Sequence, residues 1–324
     1  MATINPPKTT STSALFDDLP TEKWINLANL YQWKGFWYRR PHLEAVMEAR
    51  SSFKARDEDV ILASSMKTGT TWLKALIPSI MDPNARIVGE TNSDDNSDPL
   101  VQNFPNVLIP SFEIQIFAEN STYNILDMPS PRLFRTHMPY AMLPDSIKTS
   151  GCKIVYITRD PKDTVLSLWH FMNSIRKPEE RPFPLNEFFE SFCKGLHPFG
   201  PFHDHVLGYW KESMMRPEKI LFLRYEDMKR DTSGQVKKLA SFLGRPFAKE
   251  EEVAKVVWMC SFERLKNLEV NKNGVEPDAG FPKSAYFRLG VVGDWKNSLS
   301  MEMKKQLDEI TCNKLEGSGL DLLN

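Results

Sequence analysis

The stretch Val60-Ile61-Leu62-Ala63-Ser64-Ser65-Met66-Lys67-Thr68-Gly69-Thr70-Thr71-Trp72, continued by Leu73 to Met81, decides the fold. Val60 to Ala63 is a short apolar run that reads as a buried strand. From Thr70 to Met81, Leu73, Leu76, Ile77 and Ile80 recur at the spacing of one helix face. Between strand and helix, the Gly69 backbone can turn tightly. The helix that follows aims unpaired N–H groups and the positive end of its dipole at one spot. This is an anion cradle, to which Lys67 adds a full charge and Thr70 and Thr71 add hydroxyl donors. It is not a Walker A loop, because the lysine precedes the glycine and the first glycine of that pattern is missing. Taken alone, an ordinary turn with an exposed lysine is an equally open reading.

The same alternation continues outward. Leu133–Thr136, Lys153–Ile157 and Ile220–Leu223 read as further strands. Asp160-Pro161 supplies an N-cap and a proline at the first position of a helix through about Met172. Ser233 to Leu243 reads as a helix that stops at Gly244. Strand, helix, strand, helix implies an α/β fold, a central parallel sheet flanked by helices. Ligands of such sheets bind at the carboxyl ends of the strands. Arg159 stands at one such end, and Ser167 lies two turns into the next helix. Arginine suits a phosphate because its planar fork donates two bonds; an ion pair with a neighbouring carboxylate is the alternative. Phe287-Arg288-Leu289-Gly290-Val291-Val292-Gly293 sets two glycines beside an arginine, as an anion-binding turn or as a plain turn before the last helix.

Composition narrows the class. Lys plus Arg number 41 and Asp plus Glu 42, for a net charge of −1, which argues against a generic nucleic-acid partner. Hydrophobic residues make up 41%, enough for a sizeable core and too many for a disordered chain. Cys152, Cys193, Cys260 and Cys312 are scattered without a CxxC pair, so they read as reduced thiols of a cytoplasmic protein. No apolar run approaches the roughly 18 residues of a membrane span. Residues 1–15, rich in Thr, Ser and Pro, read as a flexible tail ahead of a single domain over residues 16–324. The aromatics from Trp24 to Tyr38 read as a segment packed on the core. Two long polar stretches, Asp82 to Asn106 and Asn271 to Lys283, interrupt the pattern as functional or disordered loops. His203 and His205 form an H-x-H without further metal ligands, so packing is the preferred reading and no metal is expected.

Together, KTGTTW at 67–72, RDPKDTVLSLWHF at 159–171, LRYEDM at 223–228 and RLGVVGDWKN at 288–297 resemble, in this order and spacing, the cytosolic sulfotransferases. The segments 260–272 and 316–320 resemble the plant branch. The resemblance runs from about Asp59 to the C-terminus and implies a P-loop-kinase-like fold. It also implies 3′-phosphoadenosine 5′-phosphosulfate (PAPS) as co-substrate, no metal, and a small-molecule hydroxyl acceptor. Residue by residue, it implies that Lys67, Thr68, Gly69, Thr70, Thr71 and Trp72 surround the 5′-phosphosulfate, with Trp72 stacked on adenine. Arg159 and Ser167 hold the 3′-phosphate, completed by Arg288 and the N–H groups of Leu289 and Gly290. Tyr225, Cys260 and Phe262 sit at the purine.

Arg135-Thr136-His137-Met138-Pro139 resembles the family's [KR]-T-H-x-P, which implies that His137 is the general base, with Arg135 beside the transferring group. Histidine fits, because a hydroxyl must lose its proton near neutral pH as it attacks sulfur. Lys67 and Ser167 complete the implied catalytic set. Flavonoids, steroid-like hormones, hydroxyjasmonates and desulfo-glucosinolates are all compatible acceptors.

Two positions depart from the family. Met66 replaces a proline that stiffens the loop, and Leu289 replaces a lysine; both bear on PAPS affinity. The animal dimer motif is missing after Lys296, so a monomer is expected. The alternatives are a non-catalytic PAPS-binding protein and, with less support, a nucleotide kinase, for which no magnesium carboxylate follows the motif logic.

Overall fold

The computed structural model describes residues 16–82 and 98–323. The expected tail over residues 1–15 lies outside them, as does residues 83–97 of the first polar stretch. Among the described residues, β1 (Thr21–Trp24), β2 (Ala28–Trp33) and β3 (Phe36–Tyr38) form an antiparallel sheet. β4 (Val60–Ser64), β5 (Leu133–Thr136), β6 (Lys153–Thr158) and β7 (Ile220–Arg224) form a parallel sheet in the order β5-β4-β6-β7. Helices cover both faces, so the fold is α/β with a central parallel sheet.

Side-chain alternation explains both faces. Val60, Leu62, Val155 and Ile157 pack under the Thr70–Met81 helix with its Leu73, Leu76, Ile77 and Ile80. Ile61, Ala63, Ile154 and Tyr156 face the other way, onto Leu43, Val46 and Ala49 of the Arg40–Ser52 helix. All five residues of β4 are buried, and each large apolar side chain so buried contributes roughly 1.5–3 kcal/mol.

The chain leaves β4, crosses to β5 on one side, then passes over to β6 on the other. The carboxyl ends of β4 and β6 therefore flank the point where strand order reverses, which is where open α/β sheets bind ligands. Lys67 follows β4 and Arg159 follows β6. The Asp160 carboxylate accepts from the Lys162 N–H at 2.8 Å, and Pro161 opens the Pro161–Asn173 helix, as the sequence implied. Gly244 is left-handed, at φ 71°, just past the Thr232–Phe242 helix.

Of the Trp24–Tyr38 aromatics, Trp24 and Tyr38 are buried, and Tyr31, Trp33, Phe36 and Trp37 are half-buried against the core. Their arrangement as a sheet was not expected. Its turns use Ile25 and Asn26 (φ 43° and 55°) and Lys34 and Gly35 (φ 51° and 85°). The first hairpin thus turns on left-handed residues without glycine, so the usual Asn-Gly signal is missing.

Candidate active site

The loop after β4 is held from beneath. The Thr68 hydroxyl donates to the carbonyls of Ser65 and Ile157, both at 2.9 Å, which ties the loop to β6. Gly69 is left-handed (φ 117°), and a Cβ there would lie 2.9 Å from both the Ile157 and Tyr225 side chains, so only glycine fits. Lys67, Gly69, Thr70, Thr71 and Trp72 line a cavity of 980 Å³. The Lys67 ammonium rests 3.9 Å from the centre of the Phe171 ring and 5.6 Å from that of Tyr286. It has no ion-pair partner among the described residues. Burial, then the charges of Arg159 and Arg288, bring its pKa down to about 7.

Arg159 is buried at the end of β6. It donates to Asp163 Oδ2 at 3.0 Å and to the Val291 carbonyl at 2.5 Å, and stacks 4.6 Å from the Tyr225 ring. Its Nε is buried without a partner. Asp163 also accepts from the N–H groups of Gly293 at 2.7 Å and Trp295 at 3.1 Å. One carboxylate therefore docks the C-terminal glycine turn onto the helix that carries Ser167. Arg288 pairs with Asp294 at 2.6 Å. Gly290 is left-handed, and a Cβ there would strike the Phe262 ring at 2.5 Å. Trp72 meets Tyr225 edge to face at 5.9 Å. Trp72, Tyr225, Phe262, Arg159, Ser167, Arg288, Leu289 and Gly290 all line the same cavity.

Two expected residues stand elsewhere. Cys260 is fully buried in the core, its thiol 3.6 Å from the Ser79 hydroxyl in the last turn of the Thr70–Met81 helix, and outside the cavity wall. Burial pushes its thiol up to about 12. Thr68 is also outside the wall, its hydroxyl committed to the backbone. Leu289 reaches the cavity but leaves its side chain 45% exposed. Met66 packs against the aromatic and aliphatic core rather than opening the loop to solvent.

His137 follows β5. Its Nδ1 lies 2.8 Å from the Ser64 carbonyl. A carbonyl only accepts, so the proton sits on Nδ1 and Nε2 carries the lone pair. Burial first, with Arg135, Lys74 and Lys67 nearby, lowers the pKa of His137 to about 4, so the ring is neutral at pH 7. The backbone here is fixed by Glu113, whose Oε1 accepts from the N–H groups of His137 at 2.8 Å and Met138 at 3.1 Å. His205 Nε2 donates to the His137 carbonyl at 3.0 Å, and its Nδ1 accepts from the Tyr156 hydroxyl at 2.9 Å. His203 bonds Thr311. Both members of the H-x-H are thus packing residues, and no cluster of three metal-ligating side chains occurs among the described residues.

Sequence reasoning passed over Lys74, Asn106 and Glu113, whereas Asp163 is the neighbouring carboxylate that the alternative reading of Arg159 called for, paired with it at 3.0 Å. Only Lys74 carried a signal: it is a lysine inside the apolar stripe of the Thr70–Met81 helix, one turn past Thr70. It is 2% exposed and lines the cavity.

The model of the sulfotransferase domain matches residues 57–319. The chain belongs to the sulfotransferase family. This sulfotransferase is 39% identical over 312 residues to cytosolic sulfotransferase 12 of Arabidopsis thaliana, covering 96% of its own chain and 94% of that relative. A crystal structure of an Arabidopsis thaliana protein named a "putative steroid sulphotransferase" is 32% identical, with a TM-score of 0.76 over 99% of each chain. Mouse sulfotransferase SULT7A1, solved in complex with PAP, is 29% identical, with a TM-score of 0.67 over 89% of this chain and 95% of that one. Family membership implies sulfuryl transfer from PAPS to a small molecule. The residues of this sulfotransferase fit such a nucleotide: the cations Lys67, Arg159 and Arg288 meet at a helix N-terminus, and Arg159 holds an orphaned buried Nε. Among the described residues, no helix is long and apolar enough to cross a membrane.

Proposed function

We propose that the chain transfers the sulfuryl group of PAPS to a hydroxyl of a small, largely apolar acceptor, with His137 as general base. When bound, PAPS supplies the sulfuryl group and a phosphate leaving group. Lys67 and the first turn of the Thr70–Met81 helix hold the 5′ end, and Lys67 offsets charge that develops on the bridging oxygen. Arg159, Ser167 and Arg288 hold the 3′-phosphate, with the N–H groups of Leu289 and Gly290. Trp72, Tyr225 and Phe262 form the purine slot, while Thr68 fixes the loop to β6 and Cys260 packs in the core. His137 Nε2 takes the acceptor proton. The observation that carries this reading is the tautomer: the Ser64 carbonyl holds the proton on Nδ1, leaving a basic nitrogen in the cavity that Lys67 also lines.

The wall beyond His137 supports an apolar acceptor, through Trp24, Leu27, Met66, Ile114, Phe199 and Phe281. Flavonoid, steroid-like, hydroxyjasmonate and desulfo-glucosinolate acceptors all remain within this proposal, as does a monomeric enzyme with one catalytic domain over residues 16–324. The test is transfer from labelled PAPS to a panel of these acceptors with a chelator present. Sulfated product supports the reading. PAP binding without transfer to any acceptor favours a non-catalytic binding protein, and magnesium-dependent phosphate transfer from ATP favours a kinase.

A further inference from the structure

Besides the cations assigned to the nucleotide, two buried ones line the cavity, Lys74 and Arg135, while Arg39 and Lys229 on its wall are exposed. Lys74 is 2% exposed and Arg135 is 4% exposed, and neither forms an ion pair among the described residues. Lys74 Nζ donates to the side-chain oxygen of Asn106. The Arg135 guanidinium donates to the Ile109 carbonyl at 2.9 Å and to Gln115 Oε1 at 3.1 Å. Every one of these acceptors is neutral. The acidic groups in electrostatic range are Glu276 for both cations, with Glu113 and Asp278 for Arg135. None of these forms an ion pair with either cation, and each accepts from a neutral donor instead: Glu276 from the Ala279 N–H at 2.6 Å, Asp278 from Gln115 Nε2 at 2.8 Å, and Glu113 from the His137 N–H at 2.8 Å.

The remaining groups around Lys74 do not neutralise it. Lys67 and Arg135 repel it, His137 is neutral, and Tyr286 presents its ring at 5.3 Å. Burial first, then the charges of Arg135 and Lys67, hold the pKa of the Lys74 ammonium well below its usual range, with Glu276 opposing them. A charged ammonium without a direct carboxylate partner is costly there, and an anion bound beside it offsets that cost. Lys67, Arg159 and Arg288 converge on the nucleotide end. The charges of Arg135, Lys74 and Lys67 all act on His137, and of these Lys74 and Arg135 are the two not grouped with Arg159 and Arg288.

We propose that Lys74, with Arg135, forms an oxyanion subsite that holds the acceptor oxygen as its anion, so that the preferred acceptors are acidic hydroxyls, phenols and enols rather than aliphatic alcohols. This rests on the cavity being the sulfuryl-transfer site. The acceptor O–H bond breaks, its proton goes to His137 Nε2, and the electron pair stays on the oxygen between the two cations.

4-Nitrophenol is the probe, because its phenolate absorbs visible light and its phenol does not. The protein is saturated with PAP, and the bound dye is titrated by absorbance. The bound dye is expected to ionise at least about one pH unit below the free dye, with most of that shift lost in Lys74→Met and kept in Lys74→Arg. Retained PAP affinity in both variants shows that they fold. An equal midpoint in wild type and Lys74→Met, or no dye binding to the PAP complex, overturns the subsite. A preserved shift with no transfer from PAPS to any acceptor removes the sulfuryl-transfer reading and leaves the anion subsite standing.

Discussion

His137 Nδ1 lies 2.8 Å from the main-chain oxygen of Ser64, the last residue of β4. The strand that leads into the Lys67 loop therefore also sets the tautomer of the histidine that follows the adjacent strand, β5. Because β4 and β5 are paired in register from Val60 and Leu133 to Ala63 and Thr136, the two groups cannot drift apart without breaking the sheet. The Nε2 lone pair and Lys67 are thus positioned by one piece of backbone, the preorganisation that the proposed proton transfer would use.

Lys67 has a measurable proton balance. With its pKa near 7 in the free protein, it is mostly neutral at pH 8. An anion beside it raises that pKa, so PAP binding at pH 8 is expected to take up close to one proton. Calorimetry in buffers of different ionisation enthalpy measures this. Lys67→Met is expected to abolish the uptake, and its absence in the wild type contradicts the assignment.

Arg159 is assigned to the 3′-phosphate. Arg159→Ala is expected to weaken PAP about ten- to a hundredfold, the scale of one charge-assisted hydrogen bond. Binding of 5′-AMP, which lacks the 3′-phosphate, is expected to change little. Equal losses for the two ligands count against the role.

Gly290 offers a steric test of the purine slot. Any side chain there meets the Phe262 ring at 2.5 Å and must adopt φ 66°. Such strain costs roughly 1–3 kcal/mol. Gly290→Ala is expected to lower PAP affinity about tenfold, measured by fluorescence or calorimetry. Unchanged affinity shows that neither Phe262 nor this turn shapes the slot.

Burial of histidine sets the acid stability. Burial lowers His137, His197 and His203 to about 4, and His42 and His205 to about 3. Their folded values lie below the unfolded value near 6.5, so the unfolded chain binds more protons in the intervening range. Stability is complete above pH 6.5 and is lost as pH falls toward 4. Each histidine that stays neutral contributes a slope of about 1.4 kcal/mol per pH unit. A Tm that is flat between pH 7 and 5 contradicts this burial.

The parallel sheet and the strand–loop–helix around Gly69 were legible because their signals are local. Apolar runs, helix-spaced leucines, Asp160-Pro161 and Gly69 each lie within one element. The aromatic meander was not, since Ile25 and Asn26 give no glycine at its first turn. The supporting residues were hidden for a different reason. Asp163 acts on Gly293, 130 residues away, and Glu113 acts on His137, 24 residues away. Glu113 does not differ in sequence from a solvated carboxylate, and Asp163 showed only its local pairing with Arg159; folding alone gives them these distant partners. Cys260 shows the reverse case, where a motif match names a residue that packing turns inward. Lys74 was legible in principle, as a charge in an apolar stripe.

The most direct measurement of the central claim is a single turnover. A preformed complex of enzyme and PAPS is mixed with a phenolic acceptor, and sulfated product is followed for the wild type and His137→Ala. The expected result is transfer by the wild type and a rate roughly 10²–10⁴ lower in the variant, with PAP affinity within about twofold, as the exposed nitrogen of a base that does not hold the nucleotide requires. Equal single-turnover rates in the two proteins contradict the account.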